Sequence, residues 1–444
     1  MTSIRVSPSI SGNILAVHIL PSAGATTARR AFHLAMVLDV SGSMDGDRIT
    51  SLKRTINLLV DRLADDDKVS IISYNHESNV CVNAGRIGDD RAAIHTAVDA
   101  LTAMGGTNME AGVMALRTLS AEPDAIFVLT DGQINSGIAS SVGLMRILTS
   151  VVPVGTPVNT LGYGADHNVR LLRDMAVRSR GTYTYADVAE ILPAIIGDIT
   201  AGLASEIARG ASIAVPAGWK CMELNAEESA DRLVIGTLID QKPQWVVFER
   251  VDGAADPVDI TVSYTGGSVT ASVGTHHTAI DIAEQYARVR VANVFTGISD
   301  LLERHAITEA RAQLNTLAAD LNSSAAKDTA LVIRLCAQVD EMLDSLVSPP
   351  ATPHFAAGAA GVRGPLGLSY MPSFGAGLLA PPALAPTVSR LVSNAVSLGL
   401  QRGVVSTASE VDTTFSSPMQ RRVTANLTAT YSGVSAHDDP SLPF

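Results

Sequence analysis

Asp39, Ser41 and Ser43 occupy alternate positions in the run Met36-Val37-Leu38-Asp39-Val40-Ser41-Gly42-Ser43-Met44. A carboxylate and two hydroxyls, placed where a hydrophobic strand ends, suit a hard divalent cation better than they suit a core. Taken alone, the run also reads as an N-cap cluster for a helix starting near Asp47. Two other loops carry matching atoms: Gly105-Gly106-Thr107-Asn108 ahead of a helix, and Thr130-Asp131-Gly132 at the end of an apolar run that begins at Ala125. Together, Ser41, Ser43 and Thr107 offer hydroxyl oxygens while Asp39 and Asp131 neutralise charge directly or through water. Such an all-oxygen set favours Mg²⁺, with Mn²⁺ or Ca²⁺ as alternates, and is one ligand short of an octahedron. A carboxylate from another protein would complete it.

Nothing in the sequence makes these serines nucleophiles. There is no Gly-rich loop ending in Lys-Ser or Lys-Thr, no His-Glu-x-x-His, and no Gly-x-Ser-x-Gly around Ser41 or Ser43. No base stands beside them, so the hydroxyls read as ligands.

The elements that position these loops follow from periodicity. Phe32 to Asp39, Lys68 to Tyr74, Ala125 to Thr130 and Val158 to Tyr163 are apolar runs of strand length, and Thr182 to Tyr185 is a shorter one. Helical patterns fall between them at Asp47 to Leu63, Asp89 to Leu101, Met109 to Leu119, Gly137 to Leu148, Asn168 to Val177 and Val188 to Ile207. The alternation predicts a doubly wound, mainly parallel α/β domain of about 180 residues over 30–208. All three loops then emerge at the C-terminal edge of its sheet, where open α/β folds place their ligand crevice.

Short alternating runs over 209–275 predict an antiparallel β-sandwich, and the strand-like Asn13 to Leu20 within 1–29 is expected to join it. Residues 278–347 read as a bundle of three helices, broken near His305 and Ser323 to Ala326. The Pro/Gly/Ala-rich tail, 348–444, is expected to be largely extended or disordered, with a short helix at Thr387 to Leu398 and a strand at Arg422 to Tyr431.

The 444-residue chain has a formal net charge of −12, which argues against general nucleic-acid binding. Cys81, Cys221 and Cys336 lie far apart, with no disulfide or zinc spacing, and read as small buried hydrophobes. With no apolar leader and no long apolar segment, the expectation is a cytoplasmic or otherwise intracellular protein that does not enter a membrane. His276 and His277 read as an exposed turn, Trp219 and Trp245 as sandwich core, and Asp65-Asp66-Asp67 as a solvated helix end.

The set Asp-x-Ser-x-Ser, Gly-Gly-Thr and Thr-Asp-Gly, in this order on these strand ends, resembles the von Willebrand factor A domain and its metal-ion-dependent adhesion site. The likeness covers roughly residues 30 to 208 and includes Asn159-Thr160-Leu161-Gly162-Tyr163-Gly164 and Gly181-Thr182-Tyr183. All five metal positions of that site, Asp39, Ser41, Ser43, Thr107 and Asp131, are intact. The resemblance implies a non-enzymatic module that binds an Asp or Glu of a partner protein through Mg²⁺, within a larger complex. The flanking sandwich and helices are similar to intracellular proteins that join this domain to a ubiquitin-ligase zinc module. No such Cys/His module is present, so ligase activity is not carried over. The alternative is a structural or assembly scaffold whose metal only stabilises the loops, and a weaker one is a metal-assisted hydrolase.

Overall fold

A computed structural model describes residues 3–23, 29–132, 134–153, 155–164, 167–186, 192–223, 231–251, 253–346, 386–399, 404–407, 410–412, 420 and 425. The chain opens with a hairpin, β1 (Ser3–Ser11) and β2 (Ile14–Ser22), paired antiparallel throughout. Pro8 cannot donate a ladder hydrogen bond, and β1 is accordingly an edge strand.

The α/β domain follows, in the order β3 (His33–Asp39), α1 (Asp47–Arg62), β4 (Lys68–Tyr74), β5 (Ser78–Arg86), α2 (Ile87–Asp99), α3 (Met109–Ala115), β6 (Ala125–Thr130), α4 (Ser141–Val151), β7 (Val158–Tyr163), α5 (Val169–Ser179), β8 (Tyr183–Ala186) and α6 (Leu192–Ala204). Its six strands lie in the order β5-β4-β3-β6-β7-β8, parallel except for β5. The α/β architecture expected from the sequence is therefore present, with flanking antiparallel sheets and C-terminal helices around it.

Central β3 explains how the sheet is held. All its residues are buried, with Ala35 and Val37 facing one core and Leu34, Met36 and Leu38 the other. That alternation is the pleat of a strand covered on both faces. Helix α1 closes the second core with Ile49, Leu52, Ile56 and Leu59, one stripe at three- and four-residue steps.

Beyond α6 come β9 (Glu206–Ala214), β10 (Trp219–Cys221), β11 (Arg232–Ile239), β12 (Gln244–Arg250), β13 (Asp259–Tyr264) and β14 (Gly267–Ser272). They form two sheets, β1-β2-β12-β10 and β11-β9-β13-β14, around Leu15, Val17, Ile213, Trp219, Phe248 and Val262. Helices α7 (Ala279–Glu303), α8 (Ile307–Ser323), α9 (Ala330–Ser345) and α10 (Pro386–Gly399) complete the fold. A small hairpin, β15 (Val404–Thr407) with β16 (Glu410–Asp412), follows α10.

The helices are not a separate bundle. Val291, Phe295 and Ile298 of α7, Leu335 and Val339 of α9, and Leu391 and Val392 of α10 share one core with Tyr183 and Tyr185 of β8 and Leu171 and Met175 of α5. Ser393 of α10 accepts from the Tyr185 amide at 3.0 Å, which satisfies a donor on the sheet's edge strand. Arg173 of α5 donates to Asp300 and to the Thr296 carbonyl of α7 at 3.0 and 2.9 Å.

Several local expectations need correction. Strand β5 had no counterpart in the sequence reading, and α6 ends at Ala204, where a helix was expected to run to Ile207. The Asp67 side chain is fully buried: it accepts from the Phe32 and Ala64 amides and from Arg29, so it is an interior cap and not a solvated end. His277 is half-buried against Trp245 and His18, although His276 is exposed. The three cysteines are free and half-buried, not core. The strand expected at Arg422 to Tyr431 lies outside the described residues, apart from isolated Ala425.

Candidate metal site

Because β3, β4, β6 and β7 run parallel, their C-terminal ends share one edge, and the three loops meet there. Asp39 ends β3, and its Oδ1 accepts the Ser41 amide at 2.8 Å, folding the chain back on itself. The Ser41 and Ser43 hydroxyls then stand 3.0 Å apart.

The second loop is brought to the first by backbone. Gly42 N–H donates to the Gly105 carbonyl at 3.0 Å, and Met104 N–H to that of Val40 at 2.8 Å. Gly105 adopts φ +76°, and a Cβ there would lie 2.7 Å from His76 Nδ1, so both conformation and space call for glycine. Thr107 follows, with its amide donating to Asn135 Oδ1 at 2.8 Å.

Thr130 and Asp131 close the cluster from β6. Thr130 Oγ1 donates to Asp39 Oδ2 at 2.7 Å, and Ser43 Oγ donates to Asp131 Oδ1 at 2.7 Å. Tyr74 Oη lies 3.5 Å from Asp39 Oδ2 and donates to the Leu129 carbonyl at 3.3 Å. The remaining Asp131 oxygen accepts from Arg48 Nη1 at 2.5 Å.

Burial pushes the Asp39 carboxyl above the usual carboxylate range; hydrogen bonds from Ser41 and Thr130 pull it back, and the neighbouring Asp131 charge raises it further. Burial also drives the Tyr74 phenol well above its ordinary value, with Asp39 adding to the shift. The cluster thus gathers buried negative charge at one place.

Asp39, Ser41, Ser43 and Asp131 form one hydrogen-bonded network, and the Gly42 contact brings the Thr107 loop to it. Ser43 is exposed while Asp39, Ser41, Thr107 and Asp131 are buried, so the cluster opens to solvent through one hydroxyl. Among the described residues no three His, Cys, Asp or Glu side chains converge as a metal cluster. The donor set here is of another kind, hydroxyl-rich with two carboxylates, and it fits a hard cation. Sequence reading missed Arg48, Thr130 as an Asp39 partner, Tyr74 and Asn135. Arg48 and Thr130 meet their carboxylates across 83 and 91 residues, which no local spacing reveals.

Residues 33–196 match the family profile of the von Willebrand factor type A domain. The chain carries a von Willebrand factor A-type domain. An uncharacterized protein of Synechocystis sp. is 30% identical over 164 residues, 36% of this chain and 38% of that protein. The uncharacterized protein YfbK of Escherichia coli is 28% identical over 182 residues, covering 39% of this chain and 32% of YfbK. The chain thus aligns with only about a third of the length of these curated relatives.

Fold similarity reaches beyond the A-type domain. The solved von Willebrand factor type A protein from Catenulispora acidiphila superposes with a TM-score of 0.57 at 16% identity, over 79% of this chain and 91% of that one. The ArnB paralog VWA2 from Sulfolobus acidocaldarius gives 0.52 at 16% identity, over 78% and 94%. Among the described residues no helix is long and apolar enough to cross a membrane.

Proposed function

We propose that the protein is a structural or assembly component that works through its A-type interaction module, with the loop cluster as that module's metal site. The observation that carries this reading is the shared core. Helices α7, α9 and α10 pack into the same hydrophobic cluster as β8 and α5, so the A-type domain shares a continuous core with them and is not hung on a linker. A scaffold is served by that continuity.

At the loop cluster, Ser41, Ser43 and Thr107 would hold Mg²⁺, or Mn²⁺ or Ca²⁺ in its place, by their hydroxyl oxygens, while Asp39 and Asp131 balance the charge. The cation would supply electrostatic attraction for an anion and stiffness for the loops. The chain's own groups do the rest: Thr130 and the Ser41 amide orient Asp39, and Arg48 and Ser43 orient Asp131. The three free thiols suit the reducing, intracellular setting this proposal assigns.

A second reading, capture of a partner's Asp or Glu at the metal, is favoured by the exposed Ser43, which opens the cluster to solvent. One experiment separates the two. The full chain and Asp39→Ala are cross-linked to bound proteins with Mg²⁺ or with chelator, and partners are identified by mass spectrometry. Partners retained in all arms support the scaffold; partners lost on chelation and on substitution alike support capture. A chain that retains no specific partner in any arm contradicts both.

A further inference from the structure

Arg48 is the group in the loop cluster that neither the motif nor the ligand chemistry calls for. It sits at the start of α1, with its guanidinium 2.5 Å from Asp131 Oδ2 and its Cζ 5.3 Å from the centre of the Tyr163 ring. Gly164, at φ +75°, leaves the space it occupies: a Cβ there would lie 3.2 Å from Arg48 Nη2. The side chain is two-thirds buried while the Asp131 side chain is fully buried, so this ion pair is weakly screened. Asp45 and Asp47 nearby are exposed and solvated, and neither pairs with Arg48.

The consequence is a matter of charge. Asp39 and Asp131 alone would cancel a divalent cation and leave nothing to attract an anion. With Arg48 already paired to Asp131, the loaded cluster keeps a net positive charge. We propose that Arg48 is a built-in counter-ion that lowers the cluster's affinity for metal and turns the loaded site into a receptor for a carboxylate. This rests on the reading that the cluster takes a divalent cation, and it supplies the specificity that the capture reading needs. The guanidinium repels the incoming cation and holds one oxygen of Asp131 away from it. In exchange, a ligand carboxylate completes both the coordination shell and the charge balance. Metal and carboxylate then bind with positive coupling, which is reciprocal.

The test uses the full chain, Mn²⁺ as the metal probe and acetate as the carboxylate probe, with binding followed by calorimetry. Arg48→Gln is expected to bind Mn²⁺ at least threefold more tightly than wild type. Acetate is expected to tighten Mn²⁺ binding in wild type but not in Arg48→Gln. Arg48→Lys keeps the charge and should retain the acetate effect, which guards against a glutamine variant that fails to fold. Equal or weaker Mn²⁺ binding by Arg48→Gln overturns the inference while leaving the metal site standing, because Arg48 would then merely orient Asp131. An acetate effect that survives in Arg48→Gln overturns it too. A wild type that takes up no Mn²⁺ overturns the metal-site reading and this inference with it.

Discussion

Ser43 Oγ donates to Asp131 Oδ1 at 2.7 Å, joining two strand-end loops that are 88 residues apart in the chain. The contact ties an exposed hydroxyl to a buried carboxylate, so it orients a candidate ligand without contributing much to the core. Ser43→Ala should therefore cost about 0.5–1.5 kcal/mol of metal-free stability. It should remove most of the additional thermal stabilisation given by Mg²⁺. Melting curves with Mg²⁺ and with chelator measure both; an unchanged Mg²⁺ increment would remove Ser43 from the site.

Gly181 tests how the A-type sheet is closed. Helix α5 ends with Arg180 at φ 61°, and a Cβ at Gly181 would stand 1.9 Å from the Val158 carbonyl. Backbone cannot move aside as a flexible side chain would, so Gly181→Ala should destabilise the chain by about 3 kcal/mol. Urea unfolding followed by circular dichroism reports it. A midpoint within error of wild type would mean that the β7–β8 packing is looser than described.

Arg288 and Glu223 form a buried pair between α7 and the residue two beyond β10, with Nη2 to Oε1 at 2.8 Å. Glu223 also accepts the Val247 amide at 3.1 Å. Removing one charge leaves the other unpaired in the interior, so Arg288→Met should cost about 3–5 kcal/mol. The double variant Glu223→Met with Arg288→Met should recover part of that loss. Equal loss in single and double variants would show that packing, and not the stranded carboxylate, dominates.

His18 gives the sandwich a pH dependence. Its ring stacks on Trp245 at 4.4 Å and meets His277 at 5.0 Å. Burial first, then the His277 and Arg5 charges, lower its pKa from 6.5 to about 4. In that window the unfolded chain binds a proton that the folded chain refuses. The stability associated with neutral His18 is thus present above pH 6.5 and is lost as pH falls towards 4. His18→Gln should flatten the decline in melting temperature between those values, and an identical decline in both proteins would rule His18 out as its source.

The loops were legible in the sequence because each follows an apolar strand long enough to recognise, and strand direction then decides which edge they share. Strand β5 was not, since Ser78–Arg86 is mostly half-buried or exposed and lacks a continuous apolar run. Strand β1 was obscured by Pro8, which is tolerated because the strand is an edge. The end of α6 was misplaced because Ser205-Glu206-Ile207 continues a helical pattern, whereas pairing of Glu206 with Ile239 draws the chain into the sandwich. At the site, ligand types could be read from residues alone. The partners that orient them, Arg48, Thr130 and Tyr74, come from separate elements and are set by packing. The shared core of β8, α7 and α10 was invisible for the same reason: amphipathic stripes say that a face is buried, not against what.

The proposed function is that of a scaffold presenting a loop cluster that would bind metal through Asp39, Ser41, Ser43, Thr107 and Asp131. Its most direct test is the melting temperature of the full chain, titrated with Mg²⁺ after chelation, beside Asp39→Asn. Wild type should show a rise that begins near the dissociation constant and continues with the logarithm of metal concentration above it, and Asp39→Asn a flat response. A flat response in wild type, or the same rise in both proteins, would contradict it.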